Sequence, residues 1–242
     1  MDLKFPHHEC EIAQSEASCG TSPVNYWMHA NMLTLNGKKM SKSTDNNIYP
    51  SEIFSGNNNI LSKPYSPAVV RFFMMQAHYR STLDFSSEAL SAAEKGYQKL
   101  MAAQDTLNNL AFNAGTVDAA KDEEIAGLCK KCYEFMGDDF NTPRTIATLF
   151  DLVSRINTYA AHGEISDISQ ETSNLLSDTF NGMVTEVLGL EPEDQGNNQA
   201  LDGVVQMLIN MRKQAKLDKN YALSDQIRDE LSAVGVQLKD NR

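Results

Sequence analysis

Two lysines and two serines are crowded into the run Lys39-Met40-Ser41-Lys42-Ser43, and a nucleotide phosphate is what such a group handles best. When a nucleophile attacks the α-phosphorus of ATP, negative charge gathers on the departing pyrophosphate. A loop with two ammonium groups and two hydroxyls neutralises that charge as it forms. Lys42 is expected to do most of this, with Lys39 beside it. An exposed basic loop after a strand is the plainer account of the same residues. The strand-like run Met32-Leu33-Thr34-Leu35 and the turn Asn36-Gly37 put the pentapeptide on a loop leaving a strand, where a phosphate-handling loop belongs.

A second group has metal-ligating side chains. Pro6 suits a helix start, and in the helix expected after it His7 and Glu11 stand at i and i+4 on one face. That geometry suits a metal ion, although surface polarity with a carboxylate in the first turn explains it as well. Cys10 lies within a turn of His7 and is expected to be a small buried side chain, with a ligand role as the alternative. The four cysteines, Cys10, Cys19, Cys129 and Cys132, make no disulfide framework in a chain of this length. Cys129 and Cys132 are read as two reduced thiols on the packed face of a helix, against a redox pair or half a zinc site.

Lys39 to Ser43 is also the KMSKS pentapeptide of class I aminoacyl-tRNA synthetases. The string Asp2-Leu3-Lys4-Phe5-Pro6-His7-His8-Glu9-Cys10-Glu11-Ile12-Ala13-Gln14-Ser15-Glu16, followed by Asn25-Tyr26-Trp27-Met28-His29, resembles the signature of the cysteinyl-tRNA synthetase family. The resemblance implies activation of L-cysteine with ATP and magnesium, and transfer to tRNA-Cys. It implies ATP contacts from Lys39, Met40, Ser41, Lys42 and Ser43, and substrate contacts from Asp2 and Trp27. It further implies a zinc ion held by His7, Glu11 and two cysteines that would lie upstream of position 1. Zinc prefers a thiolate to a hydroxyl, so it would reject serine without an editing site. Two departures stand out: Cys10 replaces the usual Asn, and Thr44-Asp45-Asn46 follows the pentapeptide in place of Leu-Gly-Asn. No segment resembles the His-Ile-Gly-His nucleotide motif, so the chain is expected to begin inside a catalytic domain and to be inactive alone. Two other readings stand beside this one, a paralogue joining cysteine to a small amine and a non-catalytic tRNA-binding module.

The elements needed to position these groups follow from periodicity. The expected fold is mainly α: a remnant of a Rossmann-type α/β catalytic domain with its KMSKS loop, a helical anticodon-side bundle, and a small C-terminal α/β unit. The boundaries read 1–50 for the catalytic part, 51–86 for a connecting, stem-contact-like fold, 87–190 for a DALR-like bundle, 191–199 for a linker and 200–242 for an anticodon-recognition unit, itself incomplete. Three apolar stripes define the bundle: Leu90, Ala93, Tyr97, Leu100 and Met101; Ile125, Leu128, Cys132, Phe135 and Met136; Ile146, Leu149, Phe150, Val153 and Ile156. Between the last two, Asp138-Asp139-Phe140-Asn141-Thr142-Pro143 reads as a helix stop and restart. Asn141 or Thr142 would cap, Pro143 would fill the first helical position, and solvation would account for the acids. In the terminal unit, helices 201–218 and 221–234 and a strand at Gly235-Val236-Gln237-Leu238 are expected, with Val204, Leu208, Met211, Leu223, Ile227 and Leu231 as the apolar positions.

Tyr221 could stack on a base, and Lys216, Asp225 and Asp240 could contact RNA, against a plain account in which Asp225 and Arg228 share a wet helix face. Arg80 could reach a phosphate; its plainer role is a corner tied to Asp84. The net charge of -11 does not contradict this, because the acid is localised. Lys plus Arg against Asp plus Glu is 7 to 7 over residues 1–85, 7 to 19 over 86–199 and 7 to 6 over 200–242. An acidic solvated bundle thus separates two nearly neutral ends. Composition, 41% hydrophobic and 22% charged, fits a soluble, cytoplasmic globular chain without DNA or membrane partners.

Overall fold

A computed structural model describes residues 3–41, 46–192, 207–212, 214–216, 218 and 220–233. A helical turn at Lys4–His8 leads into α1 (Glu9–Cys19). Strands β1 (Leu33–Leu35) and β2 (Lys38–Lys39) form a hairpin, and β3 (Leu83–Phe85) lies on the other side of β1, giving the order β2-β1-β3. The hairpin turns on Asn36 and Gly37, both at positive φ (52° and 73°), which is the backbone that a two-residue turn with the right twist requires. Asp84 fastens it: its Oδ1 accepts from Thr34 Oγ1 at 2.6 Å and from the Gly37 N–H at 2.7 Å.

Between the hairpin and β3 come α2 (Pro50–Ser55) and α3 (Pro67–Met75). Ser66 starts α3 by accepting from the Val69 N–H, and Pro67 takes a first-turn position where no N–H is missed. Four helices follow: α4 (Ser87–Asn109), α5 (Ala119–Gly137), α6 (Thr142–His162) and α7 (Gln170–Asn181), the last running on through a wider turn at Gly182–Val187. Ser86, Asp118 and Ser169 cap α4, α5 and α7 by accepting from first-turn N–H groups. A short parallel pair, β4 (Ala111–Phe112) with β5 (Glu164–Ile165), joins the ends of α4 and α6.

The three stripes become the core. Leu90, Leu100, Ile125, Cys132, Leu149 and Ile156 are fully or almost fully buried, and α4 packs on α3, α6 and α7 while α5 packs on α6 and α7. Where α3, α4 and α6 meet, Gly96 leaves room for Phe72 and Phe150: a Cβ there would lie 3.0 Å from the Phe72 ring. Cys129 and Cys132 are buried free thiols on α5, as expected; burial raises both, Cys132 to about 12, so neither is a reactive thiolate.

The chain divides into two compact units, 1–191 and 192–242. In the second, residues 207–212 and 214–216 are helical, and α8 (Tyr221–Ala233) follows. Ile227 and Leu231 are buried as expected, but Met211 and Leu223 are exposed while Arg212, Ala215 and Ser224 are buried, so the covered face differs from the one the pattern assigned. The strand expected at 235–238 lies outside the described residues, as does Val204.

Candidate active site

The lysine loop grows from the hairpin. Thr34 faces Lys39 across the antiparallel pair, so the chain past Lys39 runs towards the start of β1. The loop therefore leaves the sheet at the edge where β1 and β3 both begin. Met40 packs partly into the core, and Asn46 closes the loop's base. Ser41 and Asn46 exchange backbone hydrogen bonds of 2.9 and 3.2 Å, and Asn46 Nδ2 donates to the Lys39 carbonyl at 3.1 Å. Lys42 and Ser43 fall within this closed span but outside the described residues, as does Asp2.

At the same edge Lys4, Trp27, His29, Asn31, Tyr79 and Arg80 line a cavity of about 290 Å³. Asn31 ties its two halves: its N–H donates to the Tyr79 carbonyl at 2.9 Å and its Nδ2 to the Arg80 carbonyl at 2.8 Å. Trp27, His8 and His29 form a triangle of rings, with the Trp27 centroid 5.5 Å from His8 and 6.0 Å from His29 and the two imidazoles 5.1 Å apart. His8 Nδ1 and His29 Nε2 are buried without a hydrogen-bond partner among the described residues. Buried imidazole nitrogens are ordinarily hydrogen-bonded, so these two are open to a polar group not among the described residues. The arrangement of cations, aromatic face and unpaired imidazoles suits a ligand with both a flat ring and negative charge.

His7 and Glu11 are both exposed, His7 in the turn before α1 and Glu11 on α1. Among the described residues no cluster of three His, Cys, Asp or Glu could hold a metal. No metal site is assigned to His7 and Glu11 from the described residues, and no chemical step is assigned to a metal here. Cys10 is exposed, not buried as expected, because α1 contributes no residue to the core.

Arg80 does not tie its corner to Asp84, which is already committed to the hairpin. Its guanidinium instead pairs with Asp139 at 3.0 Å, and its Nε donates to Tyr79 Oη at 3.1 Å. That bond, then the Asp139 charge, holds Arg80 above its ordinary value, so it is a permanent cation. The 138–143 segment likewise differs from expectation. Asn141 is the cap residue of α6 but makes no side-chain cap bond, Thr142 takes the first helical position, and its hydroxyl donates to the Met75 carbonyl at 2.7 Å. Asp139 is not simply solvated: Oδ1 accepts from Tyr79 Oη at 2.6 Å.

In the second unit Tyr221 is exposed, Lys216 is exposed on its helical stretch, and Asp225 pairs with Arg228 at 3.1 Å, three residues along the same helix. Asp240 lies outside the described residues. Sequence reasoning missed His8, His29, Tyr79 and Asn46 as site components, although His8, His29 and Asn46 stand within the strings that drew attention and Tyr79 adjoins Arg80. For Asp139 no local signal existed, since its partners lie about sixty residues away.

The comparisons with known proteins agree with this layout. Residues 1–95 match the family profile described as tRNA synthetases class I (C) catalytic domain, and residues 131–191 match the DALR domain. The chain thus joins a class I synthetase segment to a DALR domain. It is similar to the cysteine–tRNA ligase of Bacteroides fragilis, 46% identical over 245 residues, covering 100% of this chain and 48% of that protein. The cysteine–tRNA ligase of Cytophaga hutchinsonii is 44% identical, covering 99% and 48%, and that of Chlorobaculum tepidum 38% identical, covering 100% and 48%. Along 99–100% of its own length the chain is similar to these cysteine–tRNA ligases, and it spans about half the length of these curated relatives.

Proposed function

We propose that this chain is part of a cysteine–tRNA ligase that activates L-cysteine with ATP to cysteinyl-adenylate and transfers it to tRNA-Cys. The observation that carries the reading is the whole-length alignment to ligases, 46% identical in one relative, with the KMSKS pentapeptide intact within it. In this reading Lys42, assisted by Lys39, neutralises the leaving pyrophosphate, while Met40, Ser41 and Ser43 shape the ATP loop. Closure of the loop at Asn46 supports a hinge-like base from which the lysines reach the nucleotide.

Trp27 and Asp2 are assigned to substrate contact, and His7 with Glu11 to half of a zinc ligand set that the rest of the protein would complete. Zinc would supply thiolate recognition. Arg80, Lys216, Tyr221, Asp225 and Asp240 are assigned to tRNA. The domains proposed with this function are 1–50 catalytic, 51–86 connecting, 87–190 bundle, 191–199 linker and 200–242 anticodon-side unit. No helix among the described residues is long and apolar enough to cross a membrane, and a cytoplasmic location is proposed with the function.

Charging of a tRNA-Cys transcript by the full-length protein, with labelled cysteine and labelled serine in parallel, tests this. Cysteine esterified to the transcript, and no serine, is the expected result. No charging by folded protein would overturn it.

A further inference from the structure

One carboxylate links the two matched segments of this chain. Asp139, in the turn between α5 and α6, accepts from Tyr79 Oη at 2.6 Å, pairs with Arg80 at 3.0 Å and has His78 Nε2 at 3.8 Å. Arg80 Nε in turn donates to Tyr79 Oη, and the guanidinium carbon lies 5.5 Å from that ring's centroid. Tyr79 and Arg80 are therefore fixed as a pair, and both line the cavity at the loop edge of the sheet.

The turn that presents this carboxylate is unusual. Asp139 and Phe140 follow one another at φ of 58° and 52°, a left-handed backbone that side-chain-bearing residues seldom hold twice in succession. The network is also exposed, with the Arg80 and Asp139 side chains at 66% and 39%. Exposed ion pairs add little to stability, so stability does not account for Tyr79 and Arg80 converging on one carboxylate here. What the network does is aim: without Asp139 the Arg80 head would sample many rotamers, whereas with it the cation is held at the cavity beside Lys4.

We propose that Asp139 is a positioning residue which, through Tyr79 and Arg80, presents a preorganised cation to a backbone phosphate of an RNA strand entering the cavity. This rests on the proposed tRNA ligase function and adds to it how the bundle takes part in holding RNA. A guanidinium held in place loses less freedom on meeting a phosphate than a free one, so its contact is stronger.

The test is a salt series of tRNA-Cys transcript binding by the full-length protein, wild type against Asp139→Asn, Asp139→Glu, Arg80→Gln and the double variant Asp139→Asn/Arg80→Gln. Asp139→Asn is expected to weaken binding roughly tenfold and to flatten the slope of log K against log salt by about 0.7, the loss of one phosphate contact to a single strand. The double variant should bind no worse than Arg80→Gln alone, because the aspartate acts through the arginine. Asp139→Glu should restore most of the affinity and the slope. Melting temperature should move by roughly 2 °C or less, as for other exposed ion pairs. An unchanged affinity and slope in Asp139→Asn would overturn the proposal, as would single effects that multiply in the double variant, or weaker binding at an unchanged slope. Failure of the wild type to bind the transcript would instead overturn the function on which the proposal rests.

Discussion

The bundle of α4 to α7 and the segment before β1 are built on opposite plans. In the bundle, apolar stripes at helical spacing are buried in one shared core, and most polar groups face water. In the segment before β1, α1 buries nothing, Phe5 is 78% exposed and Tyr26 89%, and the local order comes from ring stacking and from Asn31 tying itself to residues 79 and 80. One region spends its residues on stability and the other on presenting groups. A substitution should therefore reveal its region by what it changes: melting temperature before activity in the first, activity without melting temperature in the second.

The largest separation is expected at Lys42. In the full-length protein Lys42→Ala should slow cysteine activation by roughly two to four orders of magnitude with cysteine affinity little changed, as for a contact made mainly in the transition state. Pre-steady-state adenylate formation measures this, and an unchanged rate removes Lys42 from the mechanism. Thiol labelling of the native 242-residue chain sharpens the contrast: Cys10 and Cys19 should react quickly, and Cys129 and Cys132 only on unfolding, since burial pushes Cys132 to about 12. Four fast thiols would show that the bundle core is open.

Within the bundle, Leu149→Ala should cost about 2–5 kcal/mol by denaturant unfolding, because Leu149 is fully buried and its removal leaves a cavity. Gly96→Ala should cost about 1–3 kcal/mol, the crowding against the buried Phe72 ring outweighing the gain in helix propensity of up to about 1 kcal/mol. A stabilised Gly96→Ala would mean that α3, α4 and α6 do not meet as closely as described.

The smallest effect is a pH-dependent one. The Ser169 N–H donates to Asp122 at 2.7 Å and, as the main cause, holds that carboxyl below its ordinary value. A lowered carboxyl stabilises the fold above its unfolded value of about 3.9, and this is lost as pH falls through the lower folded value. Asp122→Asn should thus melt slightly below wild type at neutral pH and converge with it in acid. Parallel curves down to low pH would contradict that assignment.

The bundle was readable because its information is periodic: stripes such as Leu90, Ala93, Tyr97 and Leu100 need only their own helix to declare a buried face. The hairpin was readable for a similar reason, since Asn36-Gly37 dictates its turn locally. The site was legible only in part. Lys39 to Ser43 raise the expectation of a phosphate loop by residue type, but nothing near Asn46 indicates that its amide closes the base. Arg80 found its partner across about sixty residues, a pairing that local reasoning gave to Asp84 because Asp84 was nearer in sequence. Cys10 looked like a core residue because cysteines usually are, yet a helix with no partner surface has no core to offer.

The central claim is that the lysine loop serves cysteine activation, and cysteine-dependent ATP–pyrophosphate exchange by the full-length protein, with serine as the control substrate, tests it most directly. Exchange that depends on cysteine and ignores serine is the expected result. No exchange in folded protein that still binds tRNA-Cys would contradict it, leaving a chain that holds RNA without the chemistry.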